Sequence, residues 1–220
     1  MTATRWPGAG MTSERARDRL LERLREEGIR SEVVLERIRT LPRHLFVDQA
    51  LAHRAYDNTA LPIGLGQTIS QPWVVARMTE LLVESGPLRC VLEVGTGSAY
   101  QTAILAPLCN RLYSVERIEA LHLRAQTRLR ELGFRRVRLF HRDGGEGLPE
   151  YGPYDAILAT AAPREVPAGL LAQLEVGGRL VLPSGPDEGQ RLLRITRGAQ
   201  GYRTETFDAV SFVPLVAGLV

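Results

Sequence analysis

The stretch from Cys90 to Tyr100 constrains the fold more than any other part of the chain. A run of strand-forming apolar residues ends at Gly95, and Gly97 follows two positions later. Glycine permits a tight bend and a close approach of the backbone to a ligand, because it has no Cβ. A helix that begins near Ala99 would direct its free N–H groups at the same place. Strand, glycine turn and helix together predict a nucleotide-binding loop.

Strands and helices alternate after this turn. Strands are predicted at 111–116, 137–140, 154–160 and 179–183, and helices at 99–108, 119–132 and 167–174. This alternation indicates an α/β fold with a doubly wound, mainly parallel sheet. The stretches 190–197 and 202–207 flank Gly198 and Gly201 and predict an antiparallel pair at the C-terminal edge.

The part before the turn is predicted to be helical at 13–27 and 31–39, with Ser31 as a cap, and again at 72–83, where Gln71 is a candidate cap. We expect residues 1–10 to be a disordered extension and 11–220 to be one domain. Within it, 11–85 would form an N-terminal helical cap and substrate loop, and 86–220 a cofactor-binding core. Pro214 favours an edge or covering role for the last segment.

Composition excludes several classes of function. All 28 basic residues are arginine, so a P-loop lysine and a Schiff-base lysine are both absent. A net charge of +3 is weak support for nucleic-acid binding. Two cysteines give no disulfide framework, and four histidines without ligand spacing predict no metal site. With no membrane-length apolar run and no secretory signal pattern, we expect a cytoplasmic protein.

The residues around the turn favour one nucleotide over another. Tyr100 occupies the place of the third glycine in the dinucleotide fingerprint, which weakens an NAD assignment. Glu93 lies two residues before Gly95, where a carboxylate would repel a pyrophosphate and suit a cation such as S-adenosylmethionine. Glu116 ends the second predicted strand, where an acid can accept ribose hydroxyls. Asp143, in a loop after the third strand, is a candidate for holding the base.

A second unusual stretch runs from Gly66 to Pro72. It places two hydroxyls and two carboxamides around one apolar residue, and a helix-capping loop would explain it equally well. In this stretch and three others the chain resembles the protein-L-isoaspartate O-methyltransferase family. The blocks read PRHLFV at 42–47, LPIGLGQTISQP at 61–72, VLEVGTGS at 91–98 and FVPL at 212–215.

The resemblance implies a role for each matching position, with S-adenosylmethionine as cofactor and S-adenosylhomocysteine as product. Ser70 would be the active-site serine, with Thr68 beside it. The implied cofactor-binding residues are Glu93, Gly95, Thr96, Gly97, Ser98, Glu116, Asp143 and Gly144. The implied substrate-binding residues are Ile63, Gly64, Gln67, Val213 and Pro214. Ala99 departs from the family, which usually has glycine there, and we expect binding to survive this small change.

The implied reaction methylates the free α-carboxylate of L-isoaspartyl residues in aged proteins and peptides. A carboxylate with a pKa of roughly 3.5 is already ionised at neutral pH, so no general base is required. Three alternatives stay open: a methyltransferase for RNA or a small molecule, a non-catalytic cofactor-binding relative, and an NAD-dependent dehydrogenase. We expect a monomer that binds neither nucleic acid nor membranes.

Overall fold

The structure is a computed structural model and describes residues 11–220; the predicted disordered extension at 1–10 lies outside the described residues. The helices are α1 (Met11–Glu26), α2 (Glu32–Thr40), α3 (Pro72–Val83), α4 (Tyr100–Leu105), α5 (Glu119–Glu131) and α6 (Ala168–Ala172). Short 3-10 helices occupy Arg43–Phe46, Gln49–Arg54, Ala106–Leu108 and Pro149–Tyr151. No helix within 11–220 is both long and apolar enough to cross a membrane.

The strands form one large sheet and one hairpin. They are β1 (Leu61–Gly64), β2 (Gln67–Ile69), β3 (Leu88–Val94), β4 (Cys109–Glu116), β5 (Val137–His141), β6 (Tyr154–Ala159), β7 (Leu174–Ser184), β8 (Arg191–Gly198) and β9 (Gly201–Ala209). The large sheet has the order β5-β4-β3-β6-β7-β8-β9. Pairing is parallel from β5 through β7 and antiparallel between β7, β8 and β9. The predicted doubly wound sheet with an antiparallel C-terminal edge is confirmed.

Strand β3 lies at the point where the strand order reverses. The chain runs from β3 outward through β4 to β5, and then returns to β6 on the other side of β3. Ligands of open α/β sheets bind beyond the carboxyl ends of the strands at such a switch point. Apart from Arg89, the residues of β3 are buried, because helices cover both faces of the parallel sheet. The glycine turn therefore leaves the sheet where a ligand is expected.

The N-terminal helices pack against the sheet's own helices. One apolar cluster joins Leu24 of α1 and Leu35 of α2 to Ile104 of α4 and Leu129 of α5, and Phe46 lies among them. Burial of apolar surface in such packing stabilises the fold by about 25 cal/mol per Å². It fixes the segment between α2 and β3 against the carboxyl ends of the strands.

Several local predictions were wrong. Residues 61–69 form an antiparallel hairpin in which Leu61 pairs with Ile69, whereas no strand was predicted in this part of the chain. The helix predicted at 167–174 shortens to α6, and the strand predicted at 179–183 lengthens to β7. Long-range pairing with β6 and β8 extends β7 beyond what its own residues favour.

The predicted helix caps occupy the N-cap positions, but their side chains do not cap. Neither Ser31 nor Gln71 makes a side-chain capping hydrogen bond. At α3, the Trp73 amide donates to Oδ1 of Asn58 at 2.9 Å. Before α2, the Ser31 amide donates to Oε1 of Glu80 at 2.7 Å. Residues distant in sequence therefore satisfy these helix ends.

Candidate active site

A cavity of about 290 Å³ opens at the carboxyl ends of β3, β4 and β6. Its wall combines the glycine turn, the β2–α3 junction and the segment after β9. The lining includes Gln67, Thr68, Ser70, Gly95, Thr96, Gly97, Ser98, Glu116, Gly144, Val213 and Pro214. Residues from the second, third and fourth sequence blocks thus meet at one site, and the first block contributes none.

The glycine turn bends where its sequence predicts. Gly95 has φ 94° and Gly97 has φ 52°, both in the left-handed region. A Cβ on Gly95 would lie 2.4 Å from Oγ1 of Thr160, so only glycine fits between the two strands. Ala99 also has a positive φ, 68°, at the N-cap of α4. A glycine would adopt this conformation without strain.

Glu116 holds the turn and faces the cavity. Its Oε2 accepts the Gly97 amide at 2.8 Å, and its Oε1 accepts the Ile118 amide at 3.0 Å. The residue is buried but remains part of the cavity wall. Each carboxylate oxygen keeps a second lone pair, so Glu116 can accept a ligand hydroxyl as well.

Glu93 lies beneath the turn and does not line the cavity. Its Oε2 accepts the hydroxyls of Thr102 at 2.6 Å and Ser114 at 2.7 Å, and its Oε1 has no partner among the described residues. The Ser114 hydroxyl also contacts Oγ1 of Thr96 at 2.6 Å. Because Glu93 does not line the cavity, it is not placed for the predicted direct contact with a cationic ligand. Glu93 instead supports the backbone of the turn from below.

We expect Glu93 to make stability depend on pH. Burial raises its pKa from 4.5 to about 7, and the nearby Glu116 adds to the rise. The native state thus holds the proton more tightly than the unfolded chain. The contribution of this group to stability is full below pH 4.5 and is lost as the pH rises through about 7. In urea unfolding between pH 4.5 and 8, the wild type should lose on the order of 3 kcal/mol more than Glu93→Gln. The same pH dependence in both proteins would contradict this assignment.

Asp143 is also placed differently from its predicted role. Its Oδ1 accepts the Gly145 amide at 2.9 Å, and its Oδ2 accepts the Gly218 amide at 2.6 Å. Asp143 does not line the cavity, whereas its neighbour Gly144 does. A Cβ on Gly144 would lie 2.4 Å from Cγ1 of Val94. Asp143 therefore ties the last segment of the described chain to this loop.

The segment after β9 covers the cavity, as Pro214 predicts. Ala162 pairs with it on both sides: its amide donates to the Val213 carbonyl at 2.8 Å, and its carbonyl accepts the Leu215 amide at 2.9 Å. This short parallel bridge places Val213 and Pro214 on the wall.

Two grooves adjoin the cavity. One, of about 550 Å³, shares Thr68, Ser70, Thr160 and Val213 with the cavity and continues between Trp73 and Phe212; we call it the side groove. The other, of about 380 Å³, contains Ile63 and Gly64 together with Gly97 and Ser98. The predicted substrate residues are therefore divided: Gln67, Val213 and Pro214 line the main cavity, and Ile63 and Gly64 do not.

The sequence did not single out Thr160, although it links the two main spaces. Its hydroxyl donates to the carbonyls of Gly95 at 2.7 Å and Val94 at 3.1 Å, and it lines both the cavity and the side groove. Its place at the carboxyl end of a buried strand is the signal that could have found it. Tyr100 and Gln101 line the cavity as well, although neither was assigned a role in ligand binding from the sequence.

The parallel sheet, the glycine turn at its switch point and Glu116 at the end of β4 together define the class of Rossmann-like methyltransferases. The sequence model of the family "Protein-L-isoaspartate(D-aspartate) O-methyltransferase (PCMT)" matches residues 15–219. The chain belongs to this family.

Named relatives agree over nearly the full length. The chain is 58% identical over 213 residues to a protein-L-isoaspartate O-methyltransferase of Alcanivorax borkumensis, covering 97% of each chain. It is 58% identical over 214 residues to one of Xanthomonas campestris pv. campestris, covering 97% of this chain and 94% of the relative.

Solved structures show the same fold. A putative protein-L-isoaspartate O-methyltransferase of Plasmodium falciparum, solved with S-adenosyl-L-homocysteine, superimposes with a TM-score of 0.78 at 25% identity. That alignment covers 91% of this chain and 98% of the other. A further protein-L-isoaspartate O-methyltransferase structure gives a TM-score of 0.82 at 25% identity, covering 92% and 67%.

Proposed function

We propose that this chain transfers a methyl group from S-adenosylmethionine to the free α-carboxylate of L-isoaspartyl residues in damaged proteins and peptides. One observation carries the proposal beyond family membership. The Thr68 and Ser70 residues of the distinctive block lie on the wall of the same cavity as the glycine turn and Glu116. We therefore infer that the cofactor and substrate sites are adjacent.

The cavity suits a nucleoside cofactor with a charged amino-acid end. Glu116 is placed to accept ribose hydroxyls, since it lines the wall while holding the turn. Apolar side chains of Val115, Ile118 and Leu121 flank it and offer a surface for a base. We propose cofactor roles for Gly95, Thr96, Gly97, Ser98 and Gly144 on the wall, and supporting roles for Glu93 and Asp143 behind it.

For this reaction the protein must orient the two reactants and exclude water. When bound, S-adenosylmethionine supplies an electrophilic methyl group on a sulfonium. The substrate carboxylate is ionised at neutral pH and needs no base. The residues of the chain must align the carboxylate oxygen with the methyl carbon and sulfur and keep water out. The covering segment at Val213 and Pro214 is suited to the second task.

Ser70 is the residue we assign to orienting the carboxylate. Within residues 14–220 the Ser70 hydroxyl makes no hydrogen bond, so its proton is free for a ligand. Thr68, in strand β2, lines the same cavity as Ser70. Both residues also border the side groove, which provides a path for the peptide on either side of the modified residue.

We expect Ser70→Ala to lower kcat about 10- to 100-fold, because a hydrogen bond to a charged group contributes about 1.5–3 kcal/mol. Cofactor affinity should change less than twofold, since Ser70 lies in the β2–α3 junction and takes no part in the hydrogen bonds by which Glu116 holds the glycine turn. Steady-state kinetics and calorimetric titration of S-adenosylhomocysteine measure the two quantities. If both fall together, Ser70 is a structural residue of the β2–α3 junction instead.

The direct test of the proposed function is methyl transfer to a synthetic isoaspartyl peptide. The same peptide with a normal aspartyl residue is the matched control, and an RNA substrate tests the main alternative. Methylation of the isoaspartyl peptide alone supports the proposal. Transfer to RNA, or cofactor binding without any transfer, would favour the alternatives.

Three further features belong to the proposal. We infer that residues 11–220 act as one unit, since one apolar cluster joins the N-terminal helices to α4 and α5. We infer a reducing, cytoplasmic setting, which suits the free thiols of Cys90 and Cys109. We also infer a monomer whose partners are isoaspartyl proteins and not nucleic acid.

A further inference from the structure

The first of the four sequence blocks, at 42–47, contributes no residue to the wall of the main cavity. Its Arg43 begins a 3-10 helix and is 1% exposed. The Nη2 atom of Arg43 donates to the Ser70 carbonyl at 2.8 Å. The guanidinium carbon lies 4.9 Å from the centre of the Tyr100 ring. Ser70 and Tyr100 both line the cavity, so Arg43 lies directly behind its wall.

The charge of Arg43 has no counter-ion within the described part of the chain. No carboxylate among those residues forms an ion pair with it, and its Nε and Nη1 atoms make no well-formed hydrogen bond there, although the nearby Tyr100 and Tyr56 hydroxyls favour its charged form. Burial lowers its pKa from 12.5 to about 10, so the side chain stays protonated at neutral pH. A buried charge without a counter-ion is costly to the fold. Its position beside the Ser70 carbonyl, directly behind the cavity wall, allows an anionic ligand in the cavity to balance this charge.

We propose that Arg43 is a positioning and selectivity residue that makes the Ser70 end of the cavity specific for an anionic group, the free α-carboxylate of the substrate. This inference rests on the proposed function, because it names what recognises the carboxylate. Arg43 acts through two residues on the wall. It fixes the Ser70 backbone by its hydrogen bond, and it gives positive potential to the cavity across the Tyr100 ring.

Phe46 and Arg128 provide a comparison within the same fold. Arg128 is partly buried, whereas Arg43 is fully buried, and it donates to the carbonyl of a cavity residue, Ser98, at 2.9 Å. Its guanidinium carbon lies 5.9 Å from the centre of the Phe46 ring. It therefore makes the same kinds of contact as Arg43, but at the glycine turn. If such an arginine had a purely structural role, replacing Arg43 or Arg128 by Met should change the preference between the two peptides described below in the same way.

The test compares the binding of two peptides by calorimetry in the presence of S-adenosylhomocysteine. One is an isoaspartyl peptide with a free α-carboxylate, and the other is its α-carboxamide, which has the same shape without the charge. We expect the wild type to prefer the carboxylate. In Arg43→Met this preference should fall about tenfold, as expected for one charge acting across a protein interior. Arg43→Lys should retain most of the preference, because it keeps the charge.

Each possible outcome either supports or overturns the proposed role of Arg43. If Arg43→Met weakens both peptides equally, Arg43 only holds the β2–α3 junction and the inference is overturned. If Arg43→Met does not fold, the wild type and Arg43→Lys still test the inference. It is overturned if the wild type shows no preference for the carboxylate peptide, or if Arg43→Lys loses that preference. Arg128→Met should leave the preference unchanged, and an equal fall there would also count against Arg43. A wild type that prefers the carboxylate but transfers no methyl group would refute the proposed function and leave this inference standing.

Discussion

Gly95→Ala is expected to abolish cofactor binding and to lower the free energy of unfolding substantially. Two costs add. A non-glycine residue at φ 94° carries left-handed strain of about 1–2 kcal/mol. The added Cβ would also lie 2.4 Å from Oγ1 of Thr160, and such overpacking costs about 1–3 kcal/mol. Denaturant unfolding and titration with S-adenosylhomocysteine measure the two effects.

The chain offers a matched control for this change. Gly133 has φ 82°, and nothing lies within 4 Å of a Cβ built there. Gly133→Ala therefore carries the strain without the clash and should leave cofactor affinity unaltered. Adding Thr160→Ala to Gly95→Ala removes the clashing hydroxyl and should restore part of the lost stability. Equal losses in Gly95→Ala and Gly133→Ala would show that the contact with Thr160 is unimportant.

Glu116→Ala is expected to weaken cofactor binding about 100-fold or more. The change removes a ligand acceptor, and it also leaves the amides of Gly97 and Ile118 without their acceptors. Hydrogen bonds to charged groups contribute about 1.5–3 kcal/mol each. Glu116→Gln should lose nearly as much, because its NH₂ group would face one of these N–H donors. Calorimetric titration with S-adenosylhomocysteine provides the measurement.

The Ser70 variant separates this effect from general damage to the site. It alters the β2–α3 junction and leaves the hydrogen bonds of Glu116 intact, so its cofactor affinity should remain close to that of the wild type. Unchanged cofactor affinity in both Glu116 variants would reduce Glu116 to an ordinary buried acid at a strand end.

The sequence predicted most of the elements that surround the cofactor site. Alternating apolar runs and glycine stops placed β3, β4, α5 and β6 within a few residues of their observed bounds. Such features depend on neighbouring residues, and local patterns encode them. The hairpin at Leu61–Ile69 was missed, because Pro62, Gly64 and Gly66 are poor strand residues, and only the pairing of Leu61 with Ile69 reveals it.

The candidate site divides in the same way. Gly95, Gly97 and Glu116 follow from the strand–turn–helix pattern, and the structure brings them together on one wall. Glu93 and Asp143 had the right types and spacing for ligand contacts, yet their oxygens are directed to Thr102, Ser114 and backbone amides. Whether an acid faces a cavity or lies behind it depends on side-chain direction, which spacing along the chain does not specify.

The sequence by itself determined the mainly parallel sheet, the glycine turn and the family with its cofactor, whereas the strand order that puts this turn at a switch point came from the structure. Each depends on residues that are close together in the chain. Only the tertiary structure decided that Thr160 packs against Gly95 across 65 positions, and that Arg43 reaches the Ser70 carbonyl across 27. These contacts arise because the packing of sheet and helices brings distant residues together, and local propensity carries no record of it.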